Sequence, residues 1–287
     1  MKAMAPIRPR RSVLFMPGSN TRALEKARTL PADALILDLE DAVSQGAKDM
    51  ARAQVCEAVR AGFGRREVIV RINALSTSWG GKDLSAVAAA RPDAILIPKV
   101  SCARDLQEVE RLLGDSVIAL WAMVETPLAI LNIAALAAAG GRLACLVMGT
   151  NDLIKEICGV HTPDRLNLAA ALGLSVLAAR AHSLAIIDGV YNDIEDGEGF
   201  AAACAQGRSF GFGGKTLIHP SQIAPCNAAF APSPEEVDAA NKIIAAFDLP
   251  ENKGKGAILL DGRMVERLHA ESARRTVALA QAIAALG

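Results

Sequence analysis

Short continuous apolar runs alternate with stretches of helical periodicity along most of the chain. The runs cover residues 12–16, 34–39, 67–72, 94–97, 117–124, 143–148, 185–190 and 214–218. Several, such as Ala94-Ile95-Leu96-Ile97, are apolar at consecutive positions. That pattern predicts parallel strands covered on both faces, because a sheet open to water on one side alternates apolar with polar. Between the runs the spacing predicts helices over 21–29, 47–59, 103–113, 127–138, 164–182 and 196–209. Thr126 followed by Pro127 sets a capping hydroxyl before a proline, where the first helical turn tolerates one.

Eight strand–helix repeats in roughly 230 residues fit a (β/α)8 TIM barrel. A doubly wound α/β sheet is the competitor, because counting strands does not show closure. The placement of polar residues favours the barrel. Asp38, Glu40 and Asp41 end the second run, Arg71 and Asn73 the third, and Lys99 the fourth. Glu125 ends the fifth, Asp152 follows the sixth, Asp188 and Asn192 mark the seventh, and His219 ends the eighth. Polar groups at nearly every strand end are how barrel enzymes build a site, whereas an open sheet concentrates its site at one switch point.

The expected domains are a catalytic barrel over 1–248 and a C-terminal lid extension over 249–287. In the extension, Pro250 to Gly256 reads as a linker and 257–260 as a short strand. A turn at Asp261-Gly262 follows, and then a helix to about residue 285. Packing appendage and mobile lid are both open readings of this tail.

Composition narrows the picture. Lys+Arg and Asp+Glu both number 31, so no basic excess points to nucleic acid. Aromatics are few (7 Phe, 2 Trp, 1 Tyr), leaving Ala, Leu, Ile and Val to fill the core. The uncharged stretch 126–141 is too short to span a membrane and carries Pro127 and Asn132, so no membrane partner is expected. Six widely spaced cysteines without a C-x-x-C pair fit neither a disulfide scaffold nor a zinc site. With no apolar leader near the N-terminus, they point to buried thiols in the cytoplasm.

Glu125 and Asp152 form the leading candidate constellation. Carboxylates converging on one mouth repel unless a cation or proton lies between them, and hard oxygen donors with open positions suit Mg2+ better than Zn2+. Their alternative role is helix N-capping. Arg71 interrupts an apolar strand, where it either binds an anionic substrate or forms an internal pair with the Asp38/Glu40/Asp41 cluster. His219 is an acid candidate or a hydrogen-bonding group across the mouth. No Gly-x-Ser-x-Gly elbow, dinucleotide fingerprint or Walker lysine motif is present.

Seven motifs in register resemble the citrate lyase β-subunit family, grouped with the HpcH/HpaI aldolases. They are RSVLFMPGS at 11–19, LDLEDAV at 37–43, VRIN at 70–73, IPKV at 97–100, Glu125-Thr126, GTNDL at 149–153 and GKTLIHPSQ at 214–222. The resemblance implies a Mg2+-dependent barrel enzyme acting on CoA thioesters, assembled as a homotrimer or hexamer. It implies Glu125 and Asp152 as metal ligands and Arg71 as the residue steadying an enolate. Phe15, Lys26, Asn151, Arg71 and Glu125 are implied as substrate contacts. The tail resembles a lid that brings an acid/base aspartate to a neighbouring subunit, a position held here by Glu266. The sequence VERLH at 265–269 and Tyr191-Asn192 look more like the malyl-CoA thioesterase branch. The expected reaction is retro-Claisen cleavage of a short 3-hydroxy dicarboxylyl-CoA, such as malyl-CoA or citryl-CoA, to acetyl-CoA and an oxo acid. Thioester hydrolysis in the same site is the alternative, as is a citrate lyase β-type subunit needing an acyl-carrier partner.

Overall fold

The apolar runs fold as strands β1 (Ser12–Pro17), β2 (Ala34–Asp38), β3 (Glu67–Arg71), β4 (Ala94–Ile97), β5 (Ala119–Val124), β6 (Leu143–Met148), β7 (Ala185–Ile187) and β8 (Lys215–Leu217). In this computed structural model the described residues are 7–286. The first six positions of the expected barrel domain, which also begin the stretch read for a leader, lie outside them, as does Gly287. The strands pair in parallel in the order β7-β6-β5-β4-β3-β2-β1-β8. The ring closes between the ends of that order through a bridge from Asp188 to Lys215. The backbone N–H of Asp188 donates to Gly214 O and that of Thr216 to Asp188 O, each at 2.9 Å. Closure removes both sheet edges, which decides for the barrel over a doubly wound sheet.

Strand residues point alternately inward and outward. Val13, Ala34, Ile36, Ile69, Leu96 and Trp121 belong to the cluster inside the barrel, while Leu14, Leu35, Leu37, Val70 and Ile95 pack under the helices. Small Ala34 and Ala94 share the interior with Trp121, the largest fully buried side chain. Where β3 begins, Arg10 donates to both carboxylate oxygens of Glu67 (2.6 and 2.8 Å) and stacks 5.0 Å from the Trp121 ring centre, plugging that end.

Helix boundaries depart from the periodicity at identifiable residues. The helix expected over 127–138 is two, Pro127–Leu131 and Ile133–Ala137, broken at Asn132, whose amide donates to Ser101 O at 3.0 Å. The helix expected from 164 begins at Ala169, because Arg165 takes a left-handed φ of 49° and turns its guanidinium into the protein. Helices Gly80–Ala90, Thr150–Glu156 and Ile223–Phe230 were not anticipated. The first opens on two glycines, the second is short, and Pro225 in the third stands in the first turn, where no N–H partner is lost.

The described residues divide into two compact units, Arg10–Phe230 and residues 231–286 together with residues 7–9. In the second unit helices Pro234–Asp248 and Arg267–Ala284 pack together beside a hairpin of β9 (Ala257–Leu260) and β10 (Arg263–Glu266). Asp261 and Gly262 both have positive φ (48° and 77°), giving the primed turn that matches strand twist. Residues 263–266, expected to lead straight into the helix, instead pair antiparallel with β9. Among the described residues no helix is long and apolar enough to cross a membrane. Cys56, Cys145, Cys204 and Cys226 are buried as unpaired thiols, whereas Cys102 is half-buried and Cys158 exposed.

Candidate active site

At the C-terminal ends of β2 and β3 the parity of each strand turns its last residue into the barrel mouth. Asp38 receives Arg71 Nε and Nη2, both at 2.7 Å, and also accepts from the backbone N–H groups of Glu40 and Ala42. Arg71 Nη1 lies 3.0 Å from Glu40 Oε2 and 3.7 Å from Asp41 Oδ2, and the guanidinium stacks 4.8 Å from the Phe15 ring centre. Burial opposes the Arg71 charge. The field and hydrogen bonds of Asp38, followed by Glu40 and Asp41, outweigh it and raise its pKa. The internal ion pair is therefore real, and it fixes a planar cation at the mouth without requiring a ligand. Burial pushes Glu40 up to about 8 against the attraction of Arg71, with Asp41, Glu125 and Asp38 adding repulsion.

Across the mouth, Glu125 follows β5 and is 1 % exposed. Its Oε1 accepts the Lys99 backbone N–H at 2.7 Å, while Oε2 is buried with no hydrogen-bond partner among the described residues. Lys99 reaches that geometry with a left-handed φ of 54°. Its ammonium lies 2.7 Å from Asp152 Oδ2 and 3.7 Å from Glu125 Oε1. Burial raises the Glu125 pKa to about 7 against the Lys99 charge and N–H, with Asp152 repulsion reinforcing the rise. Gly149 must be glycine, since a Cβ there would strike the Glu125 Cβ and carboxylate. Neither acid is a helix N-cap. Thr126 caps one helix, through Oγ1 to Ala129 N–H at 3.0 Å, and Gly149 stands at the start of the other.

The donor set suits a divalent cation. Glu125 and Asp152 converge on one ammonium, and Glu125 Oε2 is an orphaned acceptor of hard-oxygen type. Among the described residues no group of three or more His, Cys, Asp or Glu side chains forms a metal cage. Two carboxylates with remaining positions for water or substrate fit Mg2+ rather than a structural ion.

Other candidates fall in several places. Lys26 is exposed in the last turn of helix Thr21–Ala27, whose N-cap is Asn20. The Asn151 amide exchanges hydrogen bonds with Asn192 (3.0 and 2.9 Å) on the wall of a 460 Å³ cavity shared with Thr150, His161 and Tyr191. Glu266 belongs to the second unit, at the end of β10, where its backbone N–H donates to His269 Nδ1 at 2.9 Å. Asp188, read as a mouth residue, is instead turned out toward the helices. It is fully buried against Lys215 Nζ (2.8 Å) and Arg165 Nη1 (2.8 and 2.9 Å). Burial works against its charge, but Lys215 and Arg165 prevail and hold its pKa low. His219 does not cross the mouth. Its exposed ring accepts the Ser221 N–H and caps the turn Pro220–Gln222. The strand-end pattern brings Lys99 and Glu40 to the mouth, but it does not show that Lys99 pairs with the acids. Pairing of Lys99 with both carboxylates is a contact between distant segments that no local spacing reveals.

A model of the HpcH/HpaI aldolase/citrate lyase family matches residues 11–220. The chain belongs to that family. It is 54% identical to a (3S)-malyl-CoA thioesterase of Cereibacter sphaeroides over 278 residues, covering 96% of each chain. It is 34% identical to the citrate lyase subunit beta of Escherichia coli over 284 residues, covering 96% of this chain and 94% of the other. Among solved structures, CitE of Mycobacterium tuberculosis in complex with magnesium, acetoacetate and coenzyme A superposes with a TM-score of 0.77 at 30% identity. That match covers 94% of this chain and 97% of the other. A citrate lyase of Burkholderia xenovorans, at 21% identity and a TM-score of 0.84 over 99% of this chain and 94% of the other, shares the fold, extension included.

Proposed function

We propose that the protein hydrolyses the CoA thioester of a short 3-hydroxy dicarboxylic acid, malyl-CoA first of all, to the free acid and CoA. The observation that carries this reading is the 54% identity with a (3S)-malyl-CoA thioesterase along nearly the whole of both chains. Glu125 and Asp152 would hold Mg2+, which when bound supplies Lewis-acid polarisation and a template for substrate oxygens.

The remaining work belongs to side chains of this chain. Arg71, immobilised by Asp38 and Glu40, presents a preorganised cation to the oxyanion that forms when water attacks the thioester carbonyl. Phe15, packed under Arg71, gives the thioester an apolar wall. Lys26 offers its ammonium to the phosphates of CoA, and Asn151 its amide to the acyl group. Glu266 is assigned the proton transfer, a task for a carboxylate that can approach its substrate. Assembly into a homotrimer or hexamer, as the family resemblance implies, belongs to the same reading, and the unpaired thiols support a reducing, cytoplasmic setting.

Carbon–carbon cleavage is the second reading, favoured by the similarity to citrate lyase β subunits. There Arg71 would steady an enolate instead. Purified protein incubated with Mg2+ and malyl-CoA decides between them. Malate and CoA without glyoxylate support hydrolysis; glyoxylate with acetyl-CoA overturns it. Absence of turnover with malyl-, methylmalyl- and citryl-CoA would point to a subunit that needs an acyl carrier.

A further inference from the structure

The two acids assigned to the metal already carry a cation of the protein's own. We propose that Lys99 is a built-in competitor for Asp152: its ammonium neutralises the carboxylate pair and must release Asp152 when a divalent ion binds. This inference rests on Glu125 and Asp152 being the metal ligands. The lysine is built in two parts. Its backbone is anchored, with its N–H donating to Glu125 Oε1 at 2.7 Å and its φ held at 54° after Pro98. Its side chain is 35% exposed and lines a 490 Å³ cavity together with Ser76, Ser101 and Arg104, so the ammonium has room to withdraw. Glu125 is 1% exposed and stays in place. Asp152, with 27% of its side chain exposed, is the ligand that changes partner.

The electrostatics fix the sign of the effect. An ammonium 2.7 Å from Asp152 and 3.7 Å from Glu125 lowers the negative potential that attracts a dication, and it occupies Asp152 directly. Removing that charge leaves two carboxylates in mutual repulsion, relieved by a metal ion. A lysine that merely oriented the ligands would act oppositely, since its loss would weaken metal binding.

The test measures binding rather than turnover, using the full chain, Mn2+ followed by electron paramagnetic resonance and Mg2+ by calorimetry. In Lys99→Met both ions should bind at least about tenfold more tightly than in the wild type, the scale of one unit charge removed from a partly exposed pair. Its metal-free unfolding midpoint should fall, and saturating Mg2+ should raise that midpoint more than in the wild type. Lys99→Arg, which keeps the charge, should stay within about twofold of the wild type. Should Lys99→Met fold poorly, Lys99→Gln makes the same comparison. Unchanged or weaker binding in the charge-removing variants overturns the proposal. Asp152→Asn separates the two levels of inference: if it binds Mn2+ as tightly as the wild type, the metal assignment itself falls, and the Lys99 proposal falls with it.

Discussion

Replacing Lys215 with Met removes one of the two cations that hold Asp188 at the seam where the barrel closes. Lys215 is fully buried, its Nζ lies 2.8 Å from Asp188 Oδ2, and the bridge between these residues joins β7 to β8. Breaking a buried ion pair by removing one partner costs about 3–5 kcal/mol, because the other charge stays buried without compensation. Here the loss is tempered. Arg165 Nη1 still contacts both Asp188 oxygens, and the Asp188 backbone bonds across the seam do not depend on the lysine side chain. Met also fills most of the vacated aliphatic volume. The expected destabilisation is therefore at the lower end, about 3 kcal/mol, read as a drop in urea midpoint at pH 7 with an unchanged slope.

The pH dependence supplies an independent check. The folded state depresses the Asp188 pKa, so its stabilising contribution is full above the unfolded value of ~3.9 and is lost as pH falls through the lower folded value. With the Lys215 charge gone the depression shrinks, and acid unfolding of the variant should begin at higher pH. Adding Asp188→Asn should cost less than the sum of the single changes, because the Lys215–Asp188 interaction is lost only once. A Lys215→Met protein within about 1 kcal/mol of the wild type, with the same acid midpoint, would refute the triad as a stabilising element.

Asp152→Asn should lower Mg2+-dependent turnover by at least about a hundredfold while leaving the thermal midpoint within about 2 °C, checked by a thiol-release assay and calorimetry. Arg71→Lys keeps the charge but loses the two-toothed grip on Asp38, so kcat should fall by about 10²–10³ with a smaller change in KM. Gly149→Ala drives a methyl group into Glu125 and should weaken divalent-ion binding, measured by calorimetry, together with about 1–3 kcal/mol of stability. Glu40 is raised to about 8 in the folded protein, so its ionisation lowers stability as pH climbs from its unfolded value of ~4.3 through 8. Glu40→Gln should flatten that decline in a series of denaturation curves; an unaltered slope would show that burial does not govern this group.

Much of the architecture was legible because a strand buried on both faces leaves a continuous apolar run. Residues 94–97 and 143–148 were bounded as they fold. The acidic pair was legible from strand-end position, and Arg71 from its intrusion into an apolar strand. Orientation was not. Asp188 differs from a mouth residue by a single position, since Ile187 faces the barrel interior and Asp188 consequently faces the helices. Its partner Arg165 lies in a segment that periodicity assigned to a helix, and only the left-handed backbone there frees the side chain to turn inward. Lys99 is visible in the sequence as a cation at the end of the fourth strand, without its partners. The anions it meets are the protein's own, brought from β5 and from the helix after β6.

The same arrangement explains how closely related proteins can carry names that denote different reactions. Thioester hydrolysis develops negative charge on the carbonyl oxygen of a tetrahedral intermediate, and retro-Claisen cleavage develops it on the oxygen of an enolate. Under the proposed function, a guanidinium held by Asp38 and Glu40 would serve either oxyanion, because its position is set by the protein's own acids before substrate arrives. Under the same proposal, an ion held by the acids at 125 and 152 would suit either substrate pose. Discrimination must then come from groups outside this shared core, those that admit water to the carbonyl or deliver a proton to carbon. Under the proposal, Glu266, carried on a separate unit and one methylene longer than the aspartate that the resemblance implies for lyases, would be the residue whose chemistry differs in that respect. Under the proposed function the barrel supplies charge stabilisation common to the family, and the segment beyond Phe230 selects which bond is broken.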